Sequence, residues 1–172
     1  MLKLYGFSRV NKVAIGNTRD LRVLWALEEL GLPFELDGLD HPAGELNTDE
    51  FRNINPLEQI PAIDDDGTIV TESGAIVLYL ARKTQRLIPS YLAGEAQVLR
   101  WCFAAMNSVE PPLLSTIFID FGGEAKEDGK RIRECSSIGR SACWAGWITG
   151  CKDASMLRST VSPSPTSSWR TS

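Results

Sequence analysis

The chain has 172 residues, 43% of them hydrophobic, and a net charge of −4, which is enough for one substantial core or two small ones. No apolar run approaches the about 20 residues of a membrane span, and MLKLYGF lacks a basic stretch followed by a long apolar one, so neither a membrane partner nor a secretory signal is expected. The acidic balance likewise excludes the basic footprint of a nucleic-acid binder.

Charge is unevenly divided: from Cys135 onward four basic residues face one acid, +3, which leaves −7 on residues 1–134. The cysteines (102, 135, 143 and 151) show no C-x-x-C spacing and the single histidine cannot complete a metal site, so no metal is expected. Reduced thiols and a cytoplasmic location follow from the same pattern.

In chain order, Leu2-Lys3-Leu4-Tyr5-Gly6 reads as a first strand, followed by a loop from Ser8 to Asn17. Val23, Leu24, Leu27 and Leu30 recur at helical spacing, Gly31 sits where a C′ glycine belongs, and Pro33 blocks continuation. Asn17 or Thr18 is placed to cap this helix, and a second strand follows from Phe34. Asn47 to Asn53 makes one short helix before the Asn55-Pro56 stop. Ile60-Pro61-Ala62-Ile63, the turn Asp64-Asp65-Asp66-Gly67, and Thr68-Ile69-Val70-Thr71 read as strand, hairpin, strand. The three acids lack the spacing and distal Glu of a calcium loop and are read as a polar turn.

A helix from Ser73 to Lys83 closes a βαβαββα unit, residues 1–84, with a mixed sheet and helices on both faces. A second segment, 90–134, carries helical periodicity from Ala96 to Met106, and Glu110-Pro111-Pro112 is expected to kink or interrupt it. Trp25 and Trp101 are expected to pack as core or interdomain aromatics.

The most specific stretch is Asn55 to Ala81. A proline opening a strand needs an edge, a strand start or a bulge, and a cis Ile60–Pro61 bond leaves the Ile60 backbone able to pair with an extended ligand. Glu72-Ser73 then offers a carboxylate, a hydroxyl and backbone N–H groups at a helix start, a set that suits the ammonium and carboxylate of one amino-acid group. Together with Leu21–Glu35, LRVLWALEELGLPFE, this resembles the glutathione-binding half of a glutathione transferase, and the likeness runs from about Met1 to Ile119. It implies a thioredoxin-like first domain followed by an all-helical second one. Glutathione is the implied co-substrate, a small hydrophobic electrophile the implied acceptor, and a homodimer the implied assembly. It also implies that Ile60, Pro61, Glu72 and Ser73 hold the tripeptide, with Gln59 near the glycine carboxylate and His41 a weaker contact.

Such enzymes turn the bound thiol into a thiolate, lowering a pKa from about 8.5 with a hydrogen-bond donor and helix N-terminal amides. In the serine- and cysteine-using branches that donor sits four residues before the Arg of an Arg-Val pair. Arg22-Val23 puts Thr18 there, as the implied catalytic group. The loop is longer than usual and threonine replaces serine or cysteine, so Ser8, Arg9, Asn11 and Asn17 stay as rivals and Tyr5, inside the strand, as an outsider.

Residues 135–172 depart from the rest: ten are Ser, and Val161-Ser-Pro-Ser-Pro-Thr-Ser-Ser cannot be a helix interior. Two readings stay open, a disordered Ser/Pro tail and a reading-frame shift near Glu134 that replaces the capped helix expected there. On either, the second domain is incomplete and Val98, Leu99, Trp101, Cys102, Phe103 and Leu113 are expected to be exposed. Three functions compete: a transferase conjugating glutathione to electrophiles, a non-catalytic glutathione-binding or interaction module, and an inactive product with a disrupted second domain.

Overall fold

The computed structural model describes residues 1–121 and divides into two compact units, Met1–Ile88 and a second beginning at Pro89. The tail from Cys135, with both readings of it, lies outside the described residues.

In the first unit the elements are β1 (Leu2–Arg9), α1 (Asp20–Leu30), β2 (Phe34–Asp40), α2 (Asp49–Ile54), β3 (Ala62–Asp65), β4 (Thr68–Thr71) and α3 (Ser73–Thr84). The sheet order is β2-β1-β3-β4, with β1 and β2 parallel and β3 antiparallel to both β1 and β4. This is the thioredoxin-like arrangement. A parallel pair needs a crossover, and α1 supplies it.

Strand alternation sorts β1 between two cores. Leu2 and Leu4 point to the face covered by α1 and α3, where they join Val23, Leu27, Leu30, Ile63, Ile76 and Leu80. Tyr5 points the other way and packs with Leu46, Phe51, Ile60 and Ala62 beneath α2, its ring edge-on to Phe51 at 6.1 Å between centroids.

The ends of α1 explain its length. Gly31 adopts φ 65° and its N–H donates to the Glu28 carbonyl at 3.0 Å, while Leu32 N–H reaches Leu27 O at 3.0 Å. That left-handed closure is open to glycine at little cost. Arg86 adds a second clasp, donating to the carbonyls of Leu30 (2.8 Å) and Glu29 (3.1 Å) at the end where cations are favoured.

The start of α1 differs from expectation. Neither Asn17 nor Thr18 caps it: the capping position is Arg19, without a side-chain cap bond, and the Asn17 amide donates instead to Ile15 O at 3.3 Å. The first turn is held by Asp20, whose carboxylate accepts from Leu21 N at 3.1 Å. Thr48 does cap α2, accepting from Phe51 N at 3.2 Å.

Trp25 is not a core residue of this chain. It is 70% exposed on α1, because Val23, Ala26, Leu27 and Leu30 take the inward face.

At the far end of the sheet Asp65 is buried and accepts from Tyr79 Oη at 2.6 Å and from Lys83 Nζ at 2.6 Å, tying β3 to α3. The Lys83 ammonium, then the Tyr79 hydroxyl, holds the Asp65 carboxyl below its usual range.

The second unit begins with α4 (Leu92–Phe103), passes through a π-helical stretch at Ala104–Val109, and continues as α5 (Glu110–Phe121). The prolines therefore interrupt the α-helical pattern without ending the helix. Pro111 and Pro112 cannot donate to the preceding turn, and the chain widens just ahead of them.

The face expected to be exposed is mostly not. Val98, Leu99, Trp101, Cys102 and Leu113 are half-buried, and Phe103 is exposed. The Arg100 guanidinium lies over the Trp101 ring, 5.2 Å from its centroid.

Candidate functional site

The strand register defines one end of the sheet. Tyr5 pairs with Ala62, and Ala62 pairs with Thr71. One step beyond each pair lie Gly6, Pro61 and Glu72, and with them Phe7, Ile60 and Ser73. The residues singled out around Pro61 and Glu72 thus meet at the carboxyl end of β1, although eleven or more positions separate the segments in sequence.

The Ile60–Pro61 peptide is cis, and β3 starts at the next residue, Ala62. Ile60 and Pro61 are both buried. The approach to them is fixed by Asn55, a buried amide that donates to Gln59 O at 2.6 Å and accepts from Leu57 N at 3.1 Å. Satisfied on both sides, that side chain holds the turn before Ile60 in one shape. The Gln59 side chain is exposed beside it.

Glu72 has φ 68° and ψ 117°, a region that L residues rarely occupy. Its carbonyl accepts from Ile76 N at 2.9 Å, so the strained residue is also the first step of α3. Such a conformation costs about 1–3 kcal/mol and persists where the surroundings over-determine it, most often at ligand-holding positions. The Glu72 side chain is exposed, whereas Ser73 is only 3% exposed and its Oγ accepts from Arg22 Nη1 at 3.2 Å. The start of α1 is thereby fastened to the start of α3, with a guanidinium set beside the hydroxyl and the first-turn amides of α3.

Asp20 ties α1 to β1. Its Oδ2 accepts from Phe7 N at 3.0 Å, and the residue is 4% exposed. Gly6 lies alongside: a Cβ there would touch that oxygen at 3.4 Å and crowd Leu36 Cδ1 at 2.9 Å. Beyond Phe7 the ladder bulges, with Phe7 paired to Leu39 and Arg9 to Asp40, so Ser8 has no register partner. Gly38 admits it, since a Cβ on Gly38 would stand 2.9 Å from the Ser8 Cβ. Bulges of this kind re-aim side chains at strand ends.

The candidate thiol-side groups sit on or beside the loop that follows. Ser8 is exposed in the bulge, Asn11 and Asn17 are exposed, and Thr18 is half-buried two residues before Asp20. Arg9 is spent on Asp40, with Nε to Oδ2 at 3.0 Å. His41 is exposed at the end of β2, its N–H donating to Arg9 O at 3.1 Å and its ring edge-on to Phe7 at 6.0 Å. Tyr5 lies on the α2 face, where burial raises its phenol pKa against the opposing Lys3 ammonium. No group of three or more metal-ligating side chains is found among the described residues.

Three residues of the site went unread in the sequence: Asp20, Arg22 and Asn55. Arg22 served only to locate Thr18. The available signal was polarity out of place, because Asp20 and Asn55 are polar residues next to apolar-periodic stretches where burial was otherwise expected.

Residues 21–83 match the family described as "Glutathione S-transferase, N-terminal domain". The N-terminal unit belongs to the glutathione S-transferase family. The transferase likeness extends to curated proteins. Glutathione S-transferase theta-3 of Mus musculus is 35% identical over 85 residues, which takes in 42% of this chain and 35% of that protein. Protein URE2 of Candida albicans is 40% identical over 99 residues, or 52% of this chain and 29% of its own length. The chain thus spans about a third of the curated relatives it matches. Among solved structures, a glutathione transferase family member from Pseudomonas fluorescens Pf-5, with two glutathione bound, superposes with a TM-score of 0.70 at 29% identity. That likeness covers 83% of this chain and 62% of the Pseudomonas chain.

Proposed function

We propose that the chain binds glutathione at the carboxyl end of β1 and uses it as a transferase, joining its sulfur to small hydrophobic electrophiles. The register that brings Ile60-Pro61 and Glu72-Ser73 to one sheet end is the observation that carries this reading. The bound glutathione of the Pseudomonas relative supports it.

In this reading the Ile60 backbone pairs with the cysteinyl part of the tripeptide. Glu72 takes the ammonium of the γ-glutamyl end, and Ser73 with the first amides of α3 takes its carboxylate. Gln59 contacts the glycine carboxylate in the same reading, and His41 is a weaker contact. The positive charge of Arg22 beside Ser73 adds to the pull of the α3 amides on an anionic ligand.

Chemistry then needs the thiol to lose its proton to solvent, with a donor on the Ser8–Thr18 loop holding the thiolate. The sulfur lone pair forms the new carbon–sulfur bond while the leaving group departs with its bonding pair, or an added carbon centre takes up a proton. Thr18 is the proposed donor, and Ser8, in the bulge, is its first rival. A homodimeric assembly and a cytoplasmic setting belong to the same proposal.

Glutathione binding without turnover is the second reading. It is favoured by the Asn17 amide, turned back on its own loop, and by threonine standing where a serine or cysteine is usual.

Retention on immobilised glutathione, followed by a thiol-conjugation assay, separates the two. Loss of retention in the wild-type chain overturns both, and retention without conjugation leaves the second. Glu72→Ala and Ser73→Ala should each lose about 1.5–3 kcal/mol of binding, or roughly 10- to 150-fold in affinity. Unchanged affinity of both variants by calorimetry would remove these residues from the site. For Thr18→Val the bound thiol should become harder to ionise while affinity holds. Overlaying thiolate absorbance titrations would move the role to Ser8.

A further inference from the structure

The loop between β1 and α1 carries Thr18, Asn11 and Asn17 and follows directly on Ser8 and Arg9 at the end of β1, yet it runs from Val10 to Arg19 with little regular structure beyond a single 3-10 turn at Lys12–Ala14. Something must fix its two ends if a hydroxyl is to be held within hydrogen-bond reach of a sulfur. We propose that Asp20 is that positioning residue: one buried carboxylate fastens the end of β1 to the first turn of α1.

Three observations carry the assignment. Asp20 is 4% exposed, and a buried carboxylate is retained only where its oxygens are well satisfied. Its two oxygens serve opposite ends of the loop, Oδ2 accepting from Phe7 N at 3.0 Å and Oδ1 from Leu21 N at 3.1 Å. The neighbouring strand comes close at Gly6, where a Cβ would stand in contact with Oδ2 at 3.4 Å. Phe7 immediately precedes Ser8, and Asp20 lies two positions after Thr18, so the clamp spans the segment that bears both.

The inference rests on the glutathione reading for its chemical consequence, but the clamp itself is a statement about the chain alone. Asp20 does not touch the ligand in this proposal. It acts through the loop, and a group displaced by about 1 Å from a reacting atom can cost on the order of a hundredfold in rate.

Asp20→Asn is the test, because it keeps the shape but leaves one amide without its acceptor. Amide hydrogen exchange in the absence of glutathione is read first. Phe7 and the loop residues 8–18 should exchange faster in the variant while Leu4, Ile63 and Leu80 keep their protection. Unchanged loop exchange overturns the clamp, whatever the chain binds.

Glutathione is then added. Affinity should stay within about threefold, whereas kcat for conjugation should fall roughly tenfold to a hundredfold and its pH profile should move to higher pH. A loosened loop with an unmoved pH profile and unchanged kcat overturns the role in chemistry. A wild-type chain that fails to bind glutathione overturns the proposed function, and the exchange result still decides the clamp. Should Asp20→Asn not fold, Asp20→Ser, which leaves a hydroxyl acceptor in the first turn, is measured by the same readouts.

Discussion

The two units use similar helical sequence to different ends. α1 and α3 of the first unit lay Val23, Leu27, Ile76 and Leu80 against the sheet, each with no measurable exposure. In α4 the corresponding apolar residues, Val98, Leu99 and Trp101, stay half-buried, and Gly94 is the buried residue of that helix. Helical periodicity is present in both. A sheet with alternating apolar side chains gives a helix an entire flat face to bury, and that contact supplies most helical stability in a folded protein. The amphipathic pattern announces a helix and leaves the depth of its burial to whatever it meets.

The largest expected effect tests that contrast directly. Leu27→Ala or Ile76→Ala should cost about 2–5 kcal/mol in urea unfolding, because each leaves a cavity in a close-packed core. Leu99→Ala, in a half-buried setting, should cost about 1 kcal/mol. Equal losses at Leu27 and Leu99 would erase the distinction between the units.

Gly31→Ala comes next. At φ 65°, with nothing near the new methyl, the cost is conformational alone and should be about 1–2 kcal/mol. A neutral substitution would mean that α1 ends in another way.

The Asp65 clasp should appear as a pH effect on the first unit. Its carboxyl pKa is lowered by Lys83 and then Tyr79, so the stability it contributes is present above its unfolded value and is lost as pH falls through the folded one. Lys83 is raised by the same pair, so its share is present below its unfolded value and is lost as pH rises through the folded one. Asp65→Asn should therefore flatten the acid side of the stability profile below about pH 4. An acid limb identical to that of the wild type would show that the pair contributes nothing.

The smallest effect is expected at Trp25. At 70% exposure, Trp25→Ser should change stability by no more than about 0.5 kcal/mol. A loss of 2 kcal/mol or more, of the order seen for cores, would mean that this ring is covered in the assembled protein.

Much of this protein was determined by its sequence. Val23, Leu27, Leu30 and Gly31 specify a helix and its stop, Thr68–Thr71 a strand, and Pro61 with Glu72-Ser73 a strand opening and a helix start, because periodicity, glycine conformation and proline chemistry act over a few residues. The tertiary structure alone decided what those local signals leave open. It buried Asp20 against Phe7 N and Asn55 against the turn before Ile60, set Arg22 on Ser73, passed over Thr18 and Asn17 as caps, and left Trp25 outside. The Asp20 and Arg22 contacts depend on partners 13 and 51 positions away, whereas Asn55 and Asn17 bond within four residues of themselves and owe their burial or exposure to the surrounding fold. Trp25 and Val23 both lie in an apolar helical stretch, and only the position of the sheet determines which of them is covered.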